Sequence, residues 1–293
     1  MNILRLFPPC ALICAAFLTV SAVGLAGGDS NLYERLEQPV PKEIESAPLR
    51  QIYSKDEVLW CTGENELSTA NNRAAGLMAE GSYAQAAREL ERALAHAPLF
   101  LPYRYNLGLC YIHLNDLETA LLHFTKAQNI LPEYPRTYIQ IGYIYGRRGK
   151  DDLALEQFKA ALHMNPKELV AISQSGDIYY SRGQYSNAEK YYSYSLELDP
   201  RYPNGLLGIA KIHFNREEYF KAIIQIKSID TKGEYDKSLH YYYAESSYKL
   251  KDYKTAYEQY RTLLTFRNDK FFLVNSLVLI EHKMNLAKKF LED

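Results

Sequence analysis

Little in this chain has the makings of an active site. It contains no H-E-x-x-H zinc pair, no G-x-S-x-G nucleophile elbow, no P-loop and no G-x-G-x-x-G dinucleotide turn. Its seven histidines (His96, His113, His123, His163, His213, His240 and His282) are scattered. None lies four residues from another, so no two can grip a metal from one helix face. An excess of either charge is missing too. A net charge of −1 leaves no basic field for nucleic acid and no acidic tail. Cysteine is scarce, at four, and tryptophan is single, at Trp60. Cys10 and Cys14 fall in the N-terminal run, and the other two, Cys61 and Cys110, are read as buried, inert thiols rather than a bridge. These absences set the expectation of a non-enzymatic chain with no catalytic residue, cofactor or metal.

Charge is also missing between Arg5 and Asp29, and here the lack is informative. The stretch reads as an export signal over residues 1–26, with small residues in Gly24-Leu25-Ala26 favouring cleavage after Ala26. Because it exceeds the ~18 uncharged residues of a spanning helix, an uncleaved membrane tether through residues 6–28 is an alternative. Lipidation at Cys10 or Cys14 is a third reading, disfavoured by Pro9 and Ile13 in front of them. All three place the rest of the chain in the periplasm or on the cell envelope.

Tyrosine is what the chain has in plenty, at 26, and part of it is periodic. Leu107-Gly108, Tyr111, Ala120, Phe124, Ala127 and Pro132 recur as Ile141-Gly142, Tyr145, Ala154, Phe158, Ala161 and Pro166, then as Gly176, Tyr179, Ala188, Tyr192 and Pro200. Upstream, Gly81, Tyr83, Ala86, Leu90, Ala93 and Pro98 fit the second half of the same pattern. Downstream it thins to Ala210, Tyr219, Ala222 and Ile226, then Ala244, Tyr253, Ala256 and Tyr260. Glycine and alanine suit places where two helices cross closely, and the prolines stop the second helix of each unit. The spacing L-G-x2-Y…A-x3-F…P resembles the tetratricopeptide repeat (TPR), a helix–turn–helix of about 34 residues.

The resemblance implies an all-α, right-handed superhelical solenoid of about six TPR units with terminal capping helices. The expected divisions are a signal or anchor at 1–26, a proline-containing arm and N-terminal cap at 27–66, and a C-terminal capping helix at 271–293. Between them lie six units at 67–100, 101–134, 135–168, 169–202, 203–236 and 237–270. Trp60 is expected to lie across the first unit's outer apolar edge. In TPR proteins one face of each unit's first helix lines a concave groove that receives a partner. Carried onto this sequence, that face holds Tyr105, Leu109 and His113 in the second unit, and Arg136, Ile139, Tyr143 and Arg147 in the third. Asp177 and Tyr180 follow, then Lys211 and Phe214, then Tyr241, Glu245 and Tyr248. Some TPR proteins clamp a C-terminal carboxylate. Asn106 and Arg136 match two of the five clamp places, but the first-unit places hold Asn71 and Ala75, so that class is disfavoured.

The expected function is a protein–protein interaction scaffold that binds an extended peptide or protein segment in the groove. The alternative is a substrate-binding accessory of a periplasmic transport system, holding a small hydrophobic molecule on the same aromatics. Docking of an envelope-assembly partner on the convex side is a third possibility.

Overall fold

Six left-handed turn residues pace the chain: Gly81, Asn115, Gly149, Gly183, Glu217 and Lys251, all with φ between 61° and 77°. Each sits between the two helices of a pair, where the chain reverses. The computed structural model describes residues 52–55, 57–63, 65–230, 237–267 and 275–292. The expected export run, the arm ahead of residue 52, and Phe272 and Leu273 lie outside the described residues. The helix pairs are α1 (Glu66–Ala79) with α2 (Tyr83–His96), α3 (Leu101–His113) with α4 (Leu117–Ile130), and α5 (Pro135–Arg147) with α6 (Asp151–Met164). They continue as α7 (Leu169–Ser181) with α8 (Tyr185–Leu198), α9 (Pro203–Asn215) with α10 (Tyr219–Lys227), and α11 (Lys237–Lys249) with α12 (Tyr253–Leu263). After a short 3-10 turn at Leu264–Phe266 comes α13 (Leu277–Glu292).

The reason for the small residues is geometric. A Cβ on Gly108 would stand 2.7 Å from the Phe124 ring, one on Gly142 2.6 Å from Phe158, and one on Gly176 2.7 Å from Tyr192. The ring of each second helix therefore lies directly on the backbone of its first helix. Ala86, Ala120, Ala154, Ala188, Ala222 and Ala256, one per pair, are all fully buried. Helix ends follow local chemistry. Asn65, Asp116 and Asp252 accept from backbone N–H groups at the starts of α1, α4 and α12. Pro132, Pro166 and Pro200 follow the ends of α4, α6 and α8, as expected for residues that cannot continue a helix.

α13 packs on α12 through Ile280 and Ala287, which are buried, and Met284. It is the closing helix anticipated at the C-terminus. The N-terminal cap takes a different form. Residues 52–61 make an antiparallel hairpin of β1 (Ile52–Lys55) and β2 (Val58–Cys61), with Lys55 opposite Val58 and Ile52 opposite Cys61. Burial alternates along it. Ile52, Leu59 and Cys61 are buried while Tyr53 and Lys55 are exposed, which is the period of a half-covered strand and not of a helix. Glu57, at φ 66°, helps close its two-residue turn. Trp60 of β2 pairs with Tyr53 of β1 and is half-buried.

Two consequences are measurable. Gly142→Ala should lower the denaturant midpoint at unchanged slope, at a cost of about 1–3 kcal/mol from overpacking against Phe158. Gly146→Ala is the control, because a Cβ there meets nothing closer than the Ala154 methyl at 4.0 Å. It should raise the midpoint through helix propensity, so equal losses in the two variants would contradict the crossing geometry. At the turns, Glu217→Gly and Lys251→Gly should each stabilise by about 0.5–1 kcal/mol, since relief of left-handed strain outweighs the added chain entropy. Gly149→Ala should move the midpoint the other way.

Candidate partner-binding groove

Successive first helices touch one another (α1 with α3, α5 with α7, α7 with α9, α9 with α11), whereas successive second helices stay further apart. The odd-numbered helices therefore form the inner, concave wall. The N-terminal hairpin lies against that wall, with β2 on α1 and α3.

Side-chain amides hold it there by its backbone. The Leu59 N–H donates to Asn106 Oδ1 at 2.8 Å, and Asn106 Nδ2 donates back to the Leu59 carbonyl at 2.7 Å. Asn71 Nδ2 donates to the same carbonyl at 2.8 Å, while Asn71 Oδ1 accepts from Asn106 Nδ2 at 3.0 Å. Two residues on, Asn72 repeats the pattern. Its Oδ1 accepts the Cys61 N–H at 2.8 Å and its Nδ2 donates to the Cys61 carbonyl at 2.6 Å. Alternate residues of an antiparallel strand turn their backbone groups away from the partner strand, so an extended segment can be read every second residue. On the other strand, Arg136 at the start of α5 donates to the Ser54 hydroxyl. The two residues that matched the carboxylate-clamp pattern, Asn106 and Arg136, thus hold the chain's own hairpin. Cys61 and Cys110 are free and buried, and burial pushes both thiols up to about 12, as suits inert groups.

Apart from Arg136, the residues anticipated for the groove divide into three groups. Tyr143, Arg147 and His113 reach solvent. Tyr143 is 36% exposed, the Arg147 guanidinium lies 5.8 Å from its ring centre, and His113 stacks on Tyr83. A second group is half-buried and knit together across units. Lys211 Nζ is 3.2 Å from Asp177, which also accepts from Tyr192 Oη at 2.8 Å. Tyr180 shares a 3.0 Å hydroxyl contact with Tyr242 and accepts from Asn215 at 2.7 Å, and Phe214 meets Tyr242 edge-on. Tyr241 packs edge-on against Tyr242, and Tyr248 against Tyr253.

The third group departs from expectation. Tyr105 is fully buried, edge-on to both Phe124 and Tyr134, and Leu109 and Ile139 are also buried. The residues between successive units share a helix edge with the concave face, and these three belong to the packed side. Glu245 is buried as well, accepting from Tyr260 Oη at 2.8 Å and from Lys283 of α13 at 2.7 Å. It locks the closing helix to α11 rather than offering a groove charge. His213 contacts Glu218 through Nδ1 at 2.6 Å. Not anticipated as contact residues were Asn72, Gln174, Asn215 and Tyr242. A signal was present for one set: amides recur on first helices at Asn71, Asn106, Gln140 and Gln174.

Ahead of the hairpin's reach, Gly142, Tyr143, Gly146 and Arg147 of α5 face Gln174, Asp177, Ile178 and Ser181 of α7 across a pocket of about 240 Å³, floored by Phe158. Among the described residues no group of histidines, cysteines and carboxylates is placed to hold a metal.

Models of known families match three stretches: "Tetratricopeptide repeat" at 72–135 and again at 135–168, and "Anaphase-promoting complex, cyclosome, subunit 3" at 181–263. Anaphase-promoting complex subunit 6 of Dictyostelium discoideum is 32% identical over 65 residues, which is 22% of this chain and 8% of that protein. Among solved structures, PilF of Pseudomonas aeruginosa is similar at 16% identity and TM-score 0.58, over 70% of this chain and 93% of that one. PilW, described as a type IV pilus biogenesis factor, gives 20% identity and TM-score 0.58 over 70% and 96%. The Cut9–Hcn1 hetero-tetramer of the anaphase-promoting complex gives 16% and 0.65 over 78% and 44%. At such identities the structural likeness shows the fold alone. Repeat spacing, paired helices and matching family models agree, and the chain belongs to the tetratricopeptide-repeat family.

Proposed function

We propose that the chain is a non-enzymatic scaffold at the cell envelope that binds an extended segment of another protein along its concave wall. One observation carries this reading: the wall already holds an extended segment, its own β2, by backbone hydrogen bonds from Asn71, Asn72 and Asn106. A surface that grips peptide N–H and C=O groups in this way selects for extended chain more than for any one side chain. The hairpin fills the stretch over α1 and α3 and is tied to the start of α5. The wall beyond it, from Tyr143 onward, is where a partner would lie. Tyrosine and arginine are the residues that most often dominate such contacts. The envelope location rests on the uncharged run between Arg5 and Asp29.

The tests separate the wall from the outer face. A photo-crosslinking residue at Tyr143 should capture the partner in intact cells, while one at Lys159 or Lys190 on the second helices should not. Capture from the outer positions alone would overturn the groove reading. The hairpin can be examined independently. Asn106→Ala leaves the Leu59 N–H without its partner and the C=O with Asn71 alone, at a cost of about 1–3 kcal/mol. Maleimide labelling of Cys61 under native conditions should then accelerate by roughly ten- to a hundredfold while Cys110 stays protected. Unchanged Cys61 labelling would mean that the amides do not hold the strand.

A further inference from the structure

The amide positions on the first helices continue past the hairpin. Asn106, Gln140 and Gln174 follow one another at the repeat interval on α3, α5 and α7, with Asn71 before them on α1. Asn71 and Asn106 hold the Leu59 backbone. Gln140 is buried. Gln174 is half-buried, its side chain has no hydrogen bond to another described residue, and it lines the pocket between α5 and α7.

The pocket's chemistry narrows what could enter. Its floor is apolar, from Phe158 and Ile178, and Gly142 and Gly146 keep it open. At about 240 Å³ it is smaller than the roughly 300–1,000 Å³ of sites that enclose a whole ligand, and suits one apolar side chain. Three charged groups border it, and two are already compensated. Asp177 is paired with Lys211 at 3.2 Å, and Asp151 with Arg182 at 3.2 Å. Arg147 has no carboxylate within ion-pair distance among the described residues. Its hydrogen bond goes to the neutral side chain of Asn115, at 3.0 Å. The uncompensated charge at the rim is therefore positive, on a fork suited to a carboxylate.

We propose that this pocket is an anchor site for an extended partner segment in which an apolar side chain stands next to an acidic residue. The apolar side chain enters over Phe158 and Ile178. Gln174 takes the segment's backbone as Asn106 takes that of Leu59, and Arg147, beside the Tyr143 ring, takes the carboxylate. The site rests on the concave-wall reading above and adds the partner's chemistry to it.

The experiment uses the whole chain and immobilised nonapeptides, blocked at both ends and randomised at a central pair in a Gly-Ser background. Peptides with Leu, Ile or Phe beside Asp or Glu should be retained at least tenfold better than those with Lys in the acidic place or Gly in the apolar one. Gly146→Leu should abolish retention by filling the pocket, with the thermal midpoint kept. If that variant fails to fold, Arg147→Glu on the exposed rim serves instead, and should reverse the preference from acidic to basic neighbours. Indifference to the central pair, retention unaffected by either variant, or no retention at all would overturn the anchor site. Crosslinking from Tyr143 separates the levels: a partner captured on the wall yet insensitive to Arg147→Glu sinks this inference and leaves the groove standing.

Discussion

The absence of a single carbon atom governs the spacing of the central units. Where Gly108, Gly142 and Gly176 lack a Cβ, the rings of Phe124, Phe158 and Tyr192 settle onto helix backbone at distances no side chain would permit. That close approach sets the angle between the helices of a pair, and the angle, repeated, curves the wall. Tyr192 shows how far the dependence extends. A Cβ on Gly208 of the next unit would also meet its ring, at 2.3 Å, so one tyrosine seats two units. Burial, reinforced by the neighbouring Asp177 charge, keeps its hydroxyl protonated and donating.

Helix phase was readable in the sequence because it depends on near neighbours. Alanine, aromatic and proline places recur at a fixed interval, and a helix pair is decided within that interval. The hairpin was not readable in this way. Its strands have four residues each, too short for a period to stand out, and they are held by Asn106 and Arg136, far along the chain. Tyr105 and Ile139 were assigned to the groove because a helix face toward the wall and one toward the next unit differ by about one residue step of 100°. Sequence spacing could not separate them. Glu245 illustrates a different limit: its role depends on Lys283, 38 residues away on a helix beyond the last repeat.

Aromatic rings serve two purposes along the wall, and their hydrogen bonds distinguish them. Tyr180, Tyr242 and Phe214 are engaged with one another and with Asn215, bracing α7, α9 and α11 on the inner side. Among the described residues Tyr143 is engaged by the Arg147 guanidinium and stays partly open to solvent. Among the described residues, tyrosine is therefore largely structural, with few rings left on offer.

The hairpin is joined to α1 by only residues 62–65, so its docking is intramolecular and independent of protein concentration. Short tethers correspond to effective concentrations on the order of millimolar. A free peptide competing for Asn71 and Asn106 would have to match that figure merely to share the site equally at the same intrinsic affinity. The first two units are thereby insulated from the ordinary run of dissolved peptides, and this selectivity by tether length requires no discrimination by any side chain.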